Sequence, residues 1–128
     1  MPDSEKITIN MSAVDLGKVD LLVQEGLYSN RTDFIRTAIR SQIEKHNFEV
    51  QQSVVRHSYG IGAFSYTRGE LERFQAKGEK VKINVVGLLV LDENVPVELA
   101  CEVIESIQVR GIFQARDELK QALSSRMK

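Results

Sequence analysis

The stretch Lys6-Ile7-Thr8-Ile9-Asn10-Met11 constrains this chain more than any other. Ile7, Ile9 and Met11 are apolar, while Lys6, Thr8 and Asn10 between them are polar. Alternation with period two marks a half-buried strand, with one dry face and one face free to touch something else. A single strand at this point has no partner within its own segment. Its backbone N–H and C=O groups need one, because an unpaired strand edge forgoes its hydrogen bonds. The simplest partner is the same strand from a second copy of the chain.

Two helices are expected next. Ser12 is a good N-cap, and Asp15 three positions on completes a capping-box-like pattern. The first helix should run from about Ala13 to Glu25, with Leu16, Val19, Leu22 and Val23 on one face. Gly26 stands where a left-handed residue would end it. Leu27-Tyr28-Ser29-Asn30 then makes a turn, with Ser29 or Asn30 as the next N-cap. The second helix, from about Arg31 to Lys45, carries Phe34, Ile35, Ala38, Ile39 and Ile43 in one stripe. Its other side shows Arg36, Arg40 and Lys45.

Charge excludes one simple reading. Net charge is −1; residues 1–57 hold 7 Lys+Arg against 8 Asp+Glu, and residues 58–128 hold 10 against 10. No basic excess advertises a polyanionic partner, so any such contact must use a few placed cations. The single cysteine, Cys101, excludes an internal disulfide and fits a reducing compartment. No apolar run approaches a membrane span, and Met1-Pro2-Asp3-Ser4-Glu5 is too acidic and polar for a signal peptide. A cytoplasmic protein without membrane association is expected.

The strand, the Gly26-Leu27-Tyr28-Ser29-Asn30-Arg31 turn and the Phe34-Ile35-Arg36 opening of the second helix come in a characteristic order and spacing. Over Lys6 to His46 the chain resembles the ribbon–helix–helix family of transcriptional regulators, in the variant shared by copy-number repressors and the nickel-responsive regulator. The resemblance implies a homodimer whose two strands form an antiparallel ribbon above four intertwined helices. It implies that the polar face of the ribbon enters the major groove of double-stranded DNA.

The residue chemistry agrees with that placement. A two-stranded ribbon fits the major groove, where each base pair shows its own donors and acceptors. Lys6 can donate to guanine, Asn10 can pair bidentately with adenine, and Thr8 can bond a base or touch a thymine methyl. The start of the second helix offers free N–H groups to a phosphate, with Ser29, Asn30, Arg31 and Thr32 as further donors. Plain solvation of the strand and plain capping of the helix are the bland alternatives. Asp3, Glu5, Asp15 and Asp33 lie near the same face and would weaken non-specific binding.

Beyond residues 47–58, read as a connector or an extension of the second helix, a weak repeat appears. Gly62-Ala63-Phe64-Ser65-Tyr66-Thr67 leads into a helical Glu70–Phe74. Gly87-Leu88-Leu89-Val90-Leu91-Asp92 leads into Glu98–Ile104, and Gly111-Ile112-Phe113-Gln114-Ala115-Arg116 leads into Glu118–Leu123. Such units stack as successive strand–helix pairs on a parallel sheet. The run Val81 to Leu91 is the most apolar and should be the central strand, buried on both faces. Gly87 within it suggests a bend or a close backbone approach.

The whole reading is an α+β chain. A ribbon–helix–helix unit (1–46) precedes a connector (47–58) and a C-terminal domain of three strand–helix repeats (59–128), which serves assembly or senses a ligand. Self-association through that domain would raise the assembly beyond a dimer. The expected function is a sequence-specific DNA-binding regulator acting as a repressor. The alternative is an antitoxin-type module that neutralises a protein partner and regulates its own gene. His46, His57 and Cys101 are too scattered for a metal site, and no cofactor is expected. No phosphate loop, nucleophile elbow or triad is present, so no enzyme is expected.

Overall fold

The computed structural model describes residues 4–128 as a mixture of helix and strand that divides into two units, the first Lys6–Ser53 and the second Val54–Lys128 together with residues 4 and 5.

The first unit contains α1 (Ala13–Gln24) and α2 (Arg31–Lys45). The Ser12 side chain accepts from the Asp15 N–H at 3.1 Å and so caps α1. Gly26, at φ +83°, ends it, with the Leu27 N–H reaching back to the Leu22 carbonyl at 3.1 Å. Asn30 caps α2 through its Oδ1, which accepts from the Asp33 N–H at 2.8 Å. Both helices lie where their caps and apolar stripes put them.

The leading strand differs. Residues 4–12 form no ladder with any of the described residues. Ile7 and Ile9, expected on a dry face, are 73% and 57% exposed. The physical reason is that no described segment of the single chain runs beside them as a ladder partner. Ile39 and Ile43 of the α2 stripe are exposed as well, and Val19 is the only buried residue of the unit.

A third helix, α3 (Asn47–His57), follows α2 after a break at His46, and the division between the units falls inside it. The stretch read as a connector is therefore helical. It ends at Ser58, whose φ of +55° puts a side-chain-bearing residue in the left-handed region.

The second unit alternates strand and helix: β1 (Gly60–Tyr66), α4 (Arg68–Ala76), β2 (Val81–Leu91), α5 (Val97–Val103), β3 (Ile104–Gln114) and α6 (Asp117–Ala122), then a short 3-10 turn at Ser124–Arg126. The three strands are parallel, in the order β1-β2-β3. Ile83, Val85, Leu89 and Leu91 of β2 share one buried cluster with Leu71 of α4, Leu99 and Val103 of α5, and Leu119 of α6. All three helices thus pack on one face of the sheet. On the alternate face Leu88 and Val90 are also buried, so the second half of β2 is dry on both sides.

The repeat is real, but its phase differs from the sequence reading. Gly62 and Gly111 do not lead their strands; like Gly87, which the sequence already places inside its strand, they lie within them. Gly62, Gly87 and Gly111 are register partners in a row across the sheet, at φ +138°, +136° and +130°. The third strand begins at Ile104, not at Gly111, and α5 passes into it without a turn. The sequence reading puts Ile104 in the helix, and the structure puts it in the strand. The run Ile104-Glu105-Ser106-Ile107-Gln108-Val109 instead extends along β2, where Ile104 and Ile107 are buried.

Candidate nucleic-acid interface

The polar residues of the leader, Lys6, Thr8 and Asn10, are all exposed. They keep their i, i+2, i+4 spacing, but no ladder fixes them to one face in the single chain.

The start of α2 is more defined. Asn30 and Asp33 satisfy each other's neighbourhood: Asn30 Oδ1 caps the Asp33 N–H, and Asp33 Oδ2 accepts from the Ser29 N–H at 2.9 Å. Tyr28 packs edge-on against Phe34, with ring centroids 5.0 Å apart, and fixes the turn onto the helix. The Asp33 carboxylate already faces the positive end of the helix, so the backbone N–H groups there hold less unopposed charge than a bare terminus would.

Arg31, one of the expected phosphate donors, is engaged elsewhere. Its Nε and Nη2 donate to the two carboxylate oxygens of Asp20, at 2.7 and 2.8 Å, clamping α2 to α1. The hydrogen bond from Arg31 holds the Asp20 carboxyl below its ordinary pKa. A guanidinium committed in this way has one terminal nitrogen left for another acceptor.

Sequence reasoning placed Arg36 and Arg40 only on the outer side of the helix. The structure brings them into one open groove with Ser29, Asn30, Thr32, Asp33 and Thr37. They lie one helical turn apart, and among the described residues neither makes an ion pair. The signal was available in the sequence: positions 29, 32/33, 36/37 and 40 fall on one helix face. Of the four expected phosphate-contacting residues, the groove therefore gathers Ser29, Asn30 and Thr32 and leaves Arg31 on the α1 side.

The histidines and the cysteine fall on different elements. His46 caps α2 and lies 3.7 Å from Glu49, His57 ends α3 beside Tyr59, and Cys101 is half-buried in α5. Among the described residues no helix is long and apolar enough to cross a membrane.

Two guanidinium groups, unpaired among the described residues, thus stand beside hydroxyl and amide donors and the Asp33 carboxylate in one groove. The chain matches the model of the Ribbon-Helix-Helix transcriptional regulator family over residues 2–120, nearly its full length, and belongs to that family. No curated protein and no solved structure gives a significant match to it.

Proposed function

We propose that the chain is a sequence-specific DNA-binding repressor, acting as a homodimer whose paired leader strands read the major groove. The observation that carries the reading is the bare first unit. Val19 alone is buried in it, while Ile7, Ile9, Leu21, Leu27, Ile39 and Ile43 are each at least 45% exposed. Apolar surface on this scale needs a partner, and a second copy supplies the ladder and the dry face together.

In that dimer Lys6, Thr8 and Asn10 from each strand face the bases, six side chains in all. Ser29, Asn30 and Thr32 at the start of α2, joined by Arg36 and Arg40, contact phosphates and set the register. The buried core of the second unit argues against the antitoxin alternative, since it closes around its own residues without a protein partner.

The test is a binding titration on DNA from upstream of the protein's own gene, at two salt concentrations, with a Lys6/Thr8/Asn10 triple-alanine variant alongside. The variant is expected to lose discrimination between specific and random DNA while remaining a dimer. Unchanged operator affinity in the triple variant would remove the leader as the reader.

A further inference from the structure

The sheet of the second unit ends differently on its two sides. β3 carries the charges Glu105 and Arg110, and its Ile107 is bridged by Met127, with the Lys128 N–H donating to the Ile107 carbonyl at 2.9 Å. β1, Gly60-Ile61-Gly62-Ala63-Phe64-Ser65-Tyr66, has no charge and no proline. Its outer backbone edge pairs with nothing among the described residues, and Ile61 and Phe64 are 55% and 39% exposed. Charges, prolines and covering segments are the usual means of blunting an edge strand. β3 has two of the three and β1 has none.

The glycine row adds an independent observation. A Cβ on Gly87 would run into the Gly62 carbonyl, and one on Gly111 would run into the Gly87 carbonyl. Each of these glycines leaves a notch that receives the carbonyl of the strand before it. Gly62 has the same backbone, at φ +138°, but the nearest atom to its notch is Phe64 Cε2 at 3.8 Å. The notch lies on the unpaired side of β1 and leaves room for the backbone of a further strand.

We propose that β1 pairs antiparallel with β1 of a second copy of this chain, joining two three-stranded sheets into one six-stranded sheet across a two-fold axis. Regulators of this family generally act as dimers. β1 follows α3 by two residues, so dimerisation through the first unit holds two such edges at high effective concentration. Like-with-like pairing always closes after two copies, whereas adding β3 of one copy to β1 of the next closes only if the rotation makes a ring. The Met127 bridge also obstructs that second arrangement.

Cysteine cross-linking of the full-length chain tests this. In a Cys101→Ser background, cysteines are placed singly at Ile61, Ala63, Phe64 and Ser65, and together at Ile61 and Ala63 to read an axis at Gly62 without filling its notch, with Glu105→Cys on β3 as the control, and oxidised mildly. Two-fold antiparallel pairing requires one β1 residue to face its own copy at disulfide range. One β1 position, or the 61/63 pair, should therefore give at least tenfold faster covalent dimer formation than Glu105→Cys. Adding Ile61→Lys to the fastest-linking variant, Ala63→Lys if that cysteine is at 61, or Ser65→Lys if it is the 61/63 pair, should abolish cross-linking while the thermal midpoint stays unchanged. No preferred β1 position, cross-linking only between β1 of one copy and β3 of another in mixed samples, or indifference to the added lysine would each overturn the proposal. DNA affinity is not the readout, so its failure and that of the DNA-binding reading are separable.

Discussion

Gly87 and Gly111 face each other across β2 and β3, and the carbonyl of Gly87 occupies the place where a side chain on Gly111 would begin. Gly62 stands in the same relation to Gly87. Both β2 and β3 therefore depend on a residue without a Cβ at their crossing with this row.

Gly87→Ala and Gly111→Ala should each destabilise the second unit by more than about 2 kcal/mol, since strain at a glycine-only backbone adds to collision with a fixed carbonyl. Gly17→Ala is the contrasting substitution. It lies inside α1 at an ordinary φ with nothing within 4 Å of a new Cβ. It should stabilise the helix by about 0.5–1 kcal/mol. Chemical denaturation of the three variants checks both signs.

Arg31→Ala should act on stability and leave the salt dependence of DNA binding nearly unchanged, because its fork is spent on Asp20. The pair is about half exposed, so a double-mutant cycle with Asp20→Ala should give only a weak coupling. The folded-state pKa of Asp20 lies below its ordinary 3.8. A depressed carboxyl binds fewer protons folded than unfolded, so its contribution is present above that value and fades as pH falls below it. Asp20→Asn should flatten the stability profile in that acid range alone.

Arg36→Ala and Arg40→Ala should do the opposite. Each should weaken binding to all DNA sequences alike and flatten the plot of log affinity against log salt, by about 0.9 per phosphate contact removed. Titrations at several salt concentrations separate this from a fold defect, which would leave the slope intact.

Thr67→Ala should cost about 1 kcal/mol. Thr67 Oγ1 accepts from the Glu70 N–H at 3.2 Å, and the Thr67 N–H donates back to the Glu70 carboxylate at 3.3 Å, a reciprocal cap on α4. Thermal unfolding of the variant measures the loss.

The first unit was largely legible because its signals are local. Ser12, Gly26 and Asn30 act through neighbours three to five residues away, and α1 and α2 follow from them. The candidate interface was legible only in part. The sequence marks Arg31 as a cation at a helix start, but only the packing of α2 beside α1 commits it to Asp20, eleven positions earlier. The same packing leaves Arg36 and Arg40 in the groove.

What the sequence determined by itself was the two capped helices and three strand–helix units whose glycines recur at 25 and 24 residues. Those are properties of spacing, caps and period, which neighbouring residues enforce. The tertiary structure decided the phase of the repeat. Only when β1, β2 and β3 lie side by side does Gly62 meet Gly87 and Gly87 meet Gly111. Steric exclusion between backbones far apart in sequence then shows that Gly62 and Gly111, like Gly87, belong to a row inside the sheet and do not start its strands.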